Sequence, residues 1–315
     1  MCKDSNSSTI PRPLDTLVQL PPNCPKKVNL KKRARSKYYT QSIAAQLIQL
    51  DTPLKKYYQR AYYCCQEIYQ EGQQLRGSKY CNTRLCHTCN RIRTAKLIKG
   101  YIKQLEGRNL ELVTLTIPNV KKSELSNAIS KMIKDCSLII RNMRERRKID
   151  INGIRKIEAT HNYIRNDYHP HIHLLVDKAG SLIVKEWIKR NPTASIKAQD
   201  VRAADQSSLN ELFKYTTKIA AKASKQGEID VHIEALDVII SALFGKRSIQ
   251  PFGDVRKVSE EVTDELTGQT FDELTGDHQV WIWQGNDWVS MDGECLTDYN
   301  PPDVVFKFHL SPVYS

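Results

Sequence analysis

Three of the chain's eight histidines, His169, His171 and His173, lie within five residues. The last two belong to an apolar run that continues to Val176, and this composition predicts a β-strand. Side chains alternate between the two faces of a strand, so His171 and His173 point the same way and can share one metal ion. Histidines that are simply satisfied within a core or at a surface are the alternative, and the tight clustering argues against it.

A carboxylate is the second group that this region can bring to a metal ion. Residues 154–159 form another apolar run, and the polar segment 161–168 can turn the chain into a hairpin. Glu158 and the histidine pair lie about equally far from a turn near residue 165, so the carboxylate can reach the imidazoles. Such an open set of ligands suits Mg²⁺ or Mn²⁺ that also holds a phosphate oxygen. An ordinary exposed strand residue at Glu158 fits the spacing equally well.

A candidate nucleophile lies on a predicted helix over residues 209–222. Glu211, Tyr215 and Lys218 follow the spacing i, i+4, i+7 and therefore share one helix face. The tyrosine can act as a nucleophile while the carboxylate takes a proton and the lysine steadies a phosphate or the phenolate. A surface tyrosine among solvated charges is the commoner case for such a helix, so this pattern needs support from elsewhere.

A cysteine cluster has the close spacing of a zinc turn. Cys81, Cys86 and Cys89 form its core, and either Cys64 or Cys65 can supply a fourth thiolate. An odd total of nine cysteines favours metal ligation or reduced thiols over disulfides. Buried free thiols are the alternative to a structural Zn²⁺ site, which would present the basic helix that follows.

The basic residues are distributed unevenly along the chain. Residues 1–257 contain 47 of the 48 Lys and Arg with 23 Asp and Glu, a net charge of +24, whereas residues 258–303 contain twelve acidic residues and no basic ones. Such a basic body indicates a polyanionic partner, most simply nucleic acid. Because no run of about 18 apolar residues and no signal peptide are present, we expect a cytoplasmic protein with no membrane partner.

The elements that must position these groups follow a recognisable order. From residue 112 onward the pattern reads strand, helix, strand, strand, helix, strand, helix. This order predicts an α+β fold, an antiparallel β-sheet with helices on one face, preceded by a helical region. The predicted helices cover residues 41–50, 54–70, 94–105, 122–144, 182–189, 209–222 and 235–244, and the strands cover 112–117, 154–159, 171–176 and the surroundings of Val201.

We divide the chain into four parts. They are a basic mobile arm (1–35), a helical region with the cysteine cluster (36–106), a sheet domain (107–255), and an acidic linker with a small C-terminal segment (256–315).

Several segments in succession resemble the motifs of rolling-circle replication initiators of small bacterial plasmids, which belong to the HUH endonucleases. They are the strand 112–117 with Pro118-Asn119-Val120, the run from Tyr168 to His173, and the run from Glu211 to Lys218. The cysteine cluster resembles the segment before the first motif in the single-tyrosine branch, and residues 245–247 and 252–253 resemble a stretch that follows the tyrosine helix. The likeness covers about residues 60–255 and rests on order as well as on motif identity.

The resemblance implies a ferredoxin- or RRM-like HUH nuclease domain that nicks and rejoins one DNA strand to start replication. It implies that His171 and His173 bind the divalent ion, with Glu158 as a third ligand. Tyr215 would attack the scissile phosphate and form a 5′-phosphotyrosine, Glu211 would activate water for termination, and Lys218 would orient the tyrosine or the phosphate. The implied partners are single-stranded and hairpin DNA at an origin, with a host helicase and DNA polymerase.

Two other classes compete with this interpretation. A relaxase or transposase of the same superfamily would use the same residues, but the usual versions have two tyrosines, and no second tyrosine lies near Tyr215. A non-catalytic, zinc-stabilised DNA-binding regulator would explain the charge and the cysteines. The cluster itself departs from the family pattern, because His87 stands where the family often has proline and Asn90-Arg91-Ile92-Arg93 stands where it often has an arginine pair.

Overall fold

A computed structural model describes residues 26–71, 74–205, 208, 212–213, 221–223, 229–263, 279–301 and 306–309. Glu211, Tyr215 and Lys218 therefore lie outside the described residues. The same holds for residues 1–25 of the predicted arm and for the acidic stretch 264–278. No helix in the described ranges is long and apolar enough to cross a membrane.

The described ranges contain six α-helices, twelve β-strands and a short 3-10 helix at Ile196–Ala198. The helices are α1 (Lys26–Gln49), α2 (Lys55–Tyr62), α3 (His87–Leu105), α4 (Leu125–Arg147), α5 (Gly180–Arg190) and α6 (Ile233–Leu243). The strands are β1 (Glu67–Glu71), β2 (Gln74–Gly77), β3 (Glu111–Thr116), β4 (Gly153–Asn162), β5 (Asp167–Val176), β6 (Asp200–Ala203), β7 (Ala221–Ala223), β8 (Ile229–His232), β9 (Ile249–Phe252), β10 (Gln279–Trp283), β11 (Trp288–Val289) and β12 (Phe306–His309).

A five-stranded sheet in the order β6-β3-β5-β4-β9 positions the histidines. All its neighbouring strands are antiparallel, which confirms the predicted α+β class with an antiparallel sheet. β4 and β5 form the predicted hairpin, in which Glu158 lies opposite His171. On the other side of β5, Thr114 lies opposite His173.

β5 is longer than the sequence predicts, because it begins at Asp167 and not near Pro170. Pro170 lies within the strand, opposite Ala159 of β4. The strand β3 pairs with β5 only as far as His171. The missing N–H of Pro170 therefore interrupts no hydrogen bond between β5 and β3.

The two faces of this sheet are covered by different parts of the chain. Ile172 and Leu174 of β5 join the main hydrophobic core, which includes the apolar sides of α4, α5 and α6. Leu175 points to the other face and joins a second cluster, with Leu97 and Tyr101 of α3 and with Phe213. The helix that follows the cysteine cluster therefore packs on the face that carries the histidines.

The cysteine region is built around a second sheet, in the order β11-β10-β1-β2. This sheet joins segments that are distant in sequence, because β10 pairs antiparallel with β1 and Trp281 lies opposite Ile68. Trp288 is fully buried and donates its indole N–H to the carbonyl of Cys65 (2.8 Å). A third sheet, in the order β12-β8-β7, joins Phe306–His309 in parallel to Ile229–His232.

Three predicted boundaries need correction. Residues 26–35, predicted as part of a mobile arm, are helical, and Leu30, Arg33 and Ala34 are buried. The predicted helix over 54–70 ends at Tyr62, because Cys65 adopts a left-handed backbone (φ 56°) and the chain then pairs as β1. The end of the predicted helix over 209–222 is also wrong, since residues 221–223 pair with β8.

Candidate metal centres

Glu158, His171 and His173 form the first candidate metal centre. One ligand atom from each of the three lies within 4.8 Å of the others. The Oε2 atom of Glu158 is 3.3 Å from Nε2 of His171 and 3.5 Å from Nε2 of His173. The strand register explains this arrangement, because residues 158, 171 and 173 project from adjacent strands onto one sheet face.

The far nitrogens of both imidazoles are held by neighbours. Nδ1 of His171 lies 3.2 Å from the carbonyl oxygen of His169, which can only accept a hydrogen bond. Nδ1 of His173 lies 3.1 Å from the hydroxyl of Thr114. A proton on Nδ1 of a metal-bound His171 would donate to the His169 carbonyl and leave the lone pair of Nε2 for the ion, as metal ligation requires.

Lys156 fixes the other oxygen of the carboxylate. Its buried ammonium lies 2.5 Å from Oε1 of Glu158. Burial raises the pKa of Glu158, but hydrogen bonds from His171 and His173 and the charge of Lys156 outweigh it, and the pKa lies well below its usual range. The carboxylate therefore stays ionised and can bind a cation.

A polar chain extends from this centre to the loop after β3. Nδ1 of His169 lies 2.9 Å from Oδ1 of Asn119, and the Asn119 amide donates to Asp167 (2.6 Å). The rings of His169 and His171 stack with centroids 5.5 Å apart. The predicted first motif thus meets the histidine motif, and Asn119 is a contact that spacing alone did not reveal.

The residues beside the predicted nucleophile are anchored on the histidine side of the sheet. Leu212 and Phe213 are helical and buried. The Phe213 ring stacks on Tyr101 with centroids 5.8 Å apart, and its carbonyl accepts from the Thr94 hydroxyl (3.4 Å). Tyr215, Glu211 and Lys218 themselves lie outside the described residues.

Four of the five candidate cysteines form the second centre. The sulfurs of Cys64, Cys81, Cys86 and Cys89 all lie within 4.8 Å of one another, and all four residues are buried. Cys89 Sγ is 3.5 Å from Cys64 Sγ and 3.7 Å from Cys81 Sγ. In a tetrahedral zinc site with metal–sulfur bonds of about 2.3 Å, the sulfurs lie about 3.8 Å apart. The observed distances therefore fit a Zn²⁺ ion bound by four cysteines. Cys65, the alternative fourth ligand, is not part of this set.

The surroundings of the cysteines suit thiolates. Backbone N–H groups point at three sulfurs, from Cys81 to Cys64, from Thr83 to Cys81 and from Cys89 to Cys86, each at 3.4 Å. Hydrogen bonds among the neighbouring thiols lower the pKa of Cys81 and raise the pKa of Cys64 and of Cys89.

Two cations are buried next to the cysteine centre. Arg33 and Lys37 are 2% and 1% exposed. Lys37 donates to the carbonyl of Tyr62 (2.7 Å), and although burial lowers its pKa, the nearby cysteines act to raise it. Four thiolates around Zn²⁺ carry a net charge of −2, which these two cations would balance. Neither cation was predictable from sequence, because Arg33 lies in the predicted mobile arm and Lys37 has no spacing that relates it to the cysteines.

Comparison with known proteins identifies the family. The sequence model of a family described as "Replication protein" matches residues 72–282, about two thirds of the chain. The chain belongs to this family. Membership confirms the resemblance to rolling-circle replication initiators of plasmids that the motifs indicated.

Three curated relatives of this replication protein share the name "Protein rep". The one from Staphylococcus aureus is 31% identical over 172 residues, which are 47% of this chain and 73% of the relative. The one from Streptococcus pneumoniae serotype 2 is 30% identical over 151 residues, 43% of this chain and 47% of the relative. A third, from Bacillus amyloliquefaciens, is 23% identical over 224 residues, 60% of this chain and 66% of the relative. The chain thus spans less than half of the Streptococcus relative, and no solved structure matches it.

Proposed function

We propose that this replication protein initiates rolling-circle replication by nicking one strand of its origin DNA and later rejoining it. The observation that carries the proposal is the convergence of Glu158, His171 and His173 on the sheet face against which Phe213, two residues before Tyr215, is packed. Membership in a replication protein family supports the same assignment.

The three side chains Glu158, His171 and His173 would hold Mg²⁺ or Mn²⁺. The set of two imidazoles and one carboxylate leaves coordination positions free, unlike a closed structural site. When bound, the ion supplies positive charge that stabilises the oxygens of a reacting phosphate. Lys156 and Thr114 act through these ligands, because they orient the carboxylate and His173.

The phenol of Tyr215 would attack the scissile phosphorus. It loses its proton, a bond forms between the tyrosine oxygen and phosphorus, and the bond to the 3′-oxygen breaks. The products are a 5′-phosphotyrosine and a 3′-hydroxyl, and the linkage keeps the energy needed to rejoin the strand. Glu211 would activate the water that ends the cycle, and Lys218 would steady the phosphate or the tyrosine.

The remaining partners follow from the same proposal. The strand to be cut must be single-stranded, so we expect a groove with basic and aromatic residues that holds extruded or hairpin DNA. The sequence contains no Gly-x4-Gly-Lys-Ser/Thr loop, and the helicase and polymerase would come from the host. The Cys64, Cys81, Cys86 and Cys89 set would bind a structural Zn²⁺.

A gel assay tests the proposal against a non-catalytic DNA-binding regulator. The full chain is incubated with Mn²⁺ or Mg²⁺ and labelled single-stranded DNA from its replicon, beside Tyr215→Phe and Tyr63→Phe. Tyr63 is 63% exposed, so its substitution controls for the loss of a surface hydroxyl. We expect a covalent adduct with wild type and Tyr63→Phe but none with Tyr215→Phe. DNA binding without cleavage under either metal would favour the regulator.

A further inference from the structure

A cavity lies on the sheet face opposite His171 and His173. It has a volume of about 580 Å³ and opens between α4 and the edge strand β9. Ile133 and Ile140 of α4 form one apolar wall, and Phe252 of β9 lies on the other side. The side chain of Arg155 lines the cavity from β4. Because Arg155 and Glu158 are three residues apart on one strand, their side chains point to opposite faces.

Among the residues that the structure describes, the guanidinium of Arg155 is buried without a carboxylate partner, which is unusual for an arginine. The residue is 4% exposed, and its Nη2 donates to the carbonyl of Arg247 (3.0 Å). Its Nε is shielded from solvent and has no hydrogen-bond acceptor among the described residues. Burial lowers the pKa of Arg155, and the neighbour that acts in the opposite direction is the thiol of Cys136, not a carboxylate. A buried cation without an anion is costly, and such groups commonly mark binding sites.

Two further cations line the same cavity. Lys246 is held there by hydrogen bonds from its ammonium to Ala242 O (2.6 Å) and Ser126 Oγ (3.2 Å). Arg247 is exposed and donates to the Gln250 side chain (3.2 Å). No acidic side chain is among the residues that line this cavity in the described part of the chain. Three positive charges around one cavity favour a multiply charged anion.

We propose that this cavity binds a phosphate group, carried by a DNA strand or by a free nucleotide, with Arg155 as its buried anchor. The guanidinium of Arg155 and the charges of Lys246 and Arg247 match the oxygens of a phosphate. The apolar walls at Ile133 and Phe252 suit the sugar or base attached to it. The site is separate from the proposed nicking centre, and its assignment does not depend on that chemistry.

Binding measurements with three probes distinguish the sources of the phosphate. Inorganic phosphate, thymidine monophosphate and a short single-stranded oligonucleotide are each titrated into the full chain by calorimetry. The double variant Lys246→Gln/Arg247→Gln retains Arg155 and the backbone carbonyl at position 247 to which Arg155 donates. We expect it to bind roughly ten- to a hundredfold more weakly, since hydrogen bonds to charged groups contribute about 1.5–3 kcal/mol.

Lys185→Gln is the matched control, because Lys185 is an exposed lysine on α5 that does not line the cavity. Its affinity for all probes should stay at the wild-type value.

Arg155→Met tests the anchor itself, because methionine fills similar apolar space without the charge. We expect a loss of binding at least as large as in the double variant, with an unchanged circular dichroism spectrum. If Arg155→Met fails to fold, the double variant still decides the question. Binding of phosphate or nucleotide would indicate a free ligand, and binding of the oligonucleotide alone would indicate the DNA backbone. The proposal is overturned if no probe binds, if the double variant binds the probes as tightly as wild type, or if Lys185→Gln weakens binding as much as the double variant.

Discussion

The two candidate metal centres of this chain are built in opposite ways. The cysteine centre has four sulfur ligands, all buried, whereas the Glu158, His171 and His173 centre has nitrogen and oxygen ligands and is partly open to solvent. A closed set of four ligands leaves no position for a substrate, and an open set of three does. The difference separates the roles we propose, stability for the first centre and chemistry for the second.

Their supports differ as well. The cysteine centre gathers parts that are distant in sequence, because Thr40 of α1 reaches Cys86 and Trp288 of β11 reaches Cys65. The histidine centre is built almost entirely from one hairpin and the adjacent strand β3. Loss of the first centre should therefore disturb folding, and loss of the second should disturb activity.

The largest effect is expected for Cys89→Ser, which removes one ligand of the cysteine centre. Structural zinc contributes roughly 10–16 kcal/mol in small metal-dependent domains, so we expect a loss of more than about 5 kcal/mol of stability. The measurements are zinc content by mass spectrometry and thermal unfolding. Cys295→Ser is the control, since Cys295 is exposed and outside the centre. If the wild-type protein contained no zinc, and if Cys89→Ser unfolded at the wild-type temperature, the cysteine centre would have no role in stability.

A different pattern is expected for His173→Ala. DNA cleavage should fall by at least about a hundredfold, because even the residues behind a metal ligand typically contribute 10- to 100-fold. Stability should change by only about 1–2 kcal/mol, in the ordinary range of single substitutions. Cleavage rates and thermal unfolding are measured beside His309→Ala, whose imidazole lies in the third sheet, away from the centre. Cleavage at the wild-type rate in His173→Ala would exclude this centre from the chemistry.

The smallest effect is expected for the residue that supports His173 from β3. Thr114→Val keeps the side-chain shape but removes the hydroxyl at Nδ1 of His173. We expect half-maximal cleavage to require a roughly 10- to 100-fold higher Mn²⁺ concentration. The free energy of unfolding should fall by about 1 kcal/mol. Thr160→Val is the matched control, because Thr160 is exposed and lies two residues beyond Glu158 on the same strand face. An unchanged Mn²⁺ titration for Thr114→Val would mean that the hydroxyl does not orient His173.

The local part of the histidine centre was predictable from sequence. Glu158 and His171 are equidistant from one turn, and a hairpin pairs residues that are equidistant from its turn. Thr114 was not predictable, because its place opposite His173 depends on the register between β3 and β5, which are separated by the whole of α4 and β4. Once that register is known, strand alternation alone identifies Thr114.

The cysteine region shows where sequence patterns fail. Spacing could not choose between Cys64 and Cys65, because the choice depends on the left-handed backbone of Cys65. The apolar spacing through Ile68 also fitted a helix, but the segment pairs as a strand with β2 and with the distant β10, where Ile68 lies opposite Trp281. Local periodicity carries no information about a partner so far along the chain.

The pairing of β1 with β10 has a consequence for biosynthesis. Gln66 and Trp283, which bond to each other beside this pair, are 217 positions apart, so a ribosome must add all of these residues before the sheet can close. Until then the nascent chain displays β1 as an open edge, a surface prone to mispairing. The five-stranded sheet of β3, β4, β5, β6 and β9, whose strands are closer in sequence, can assemble first, so the N-terminal region of this protein would mature last.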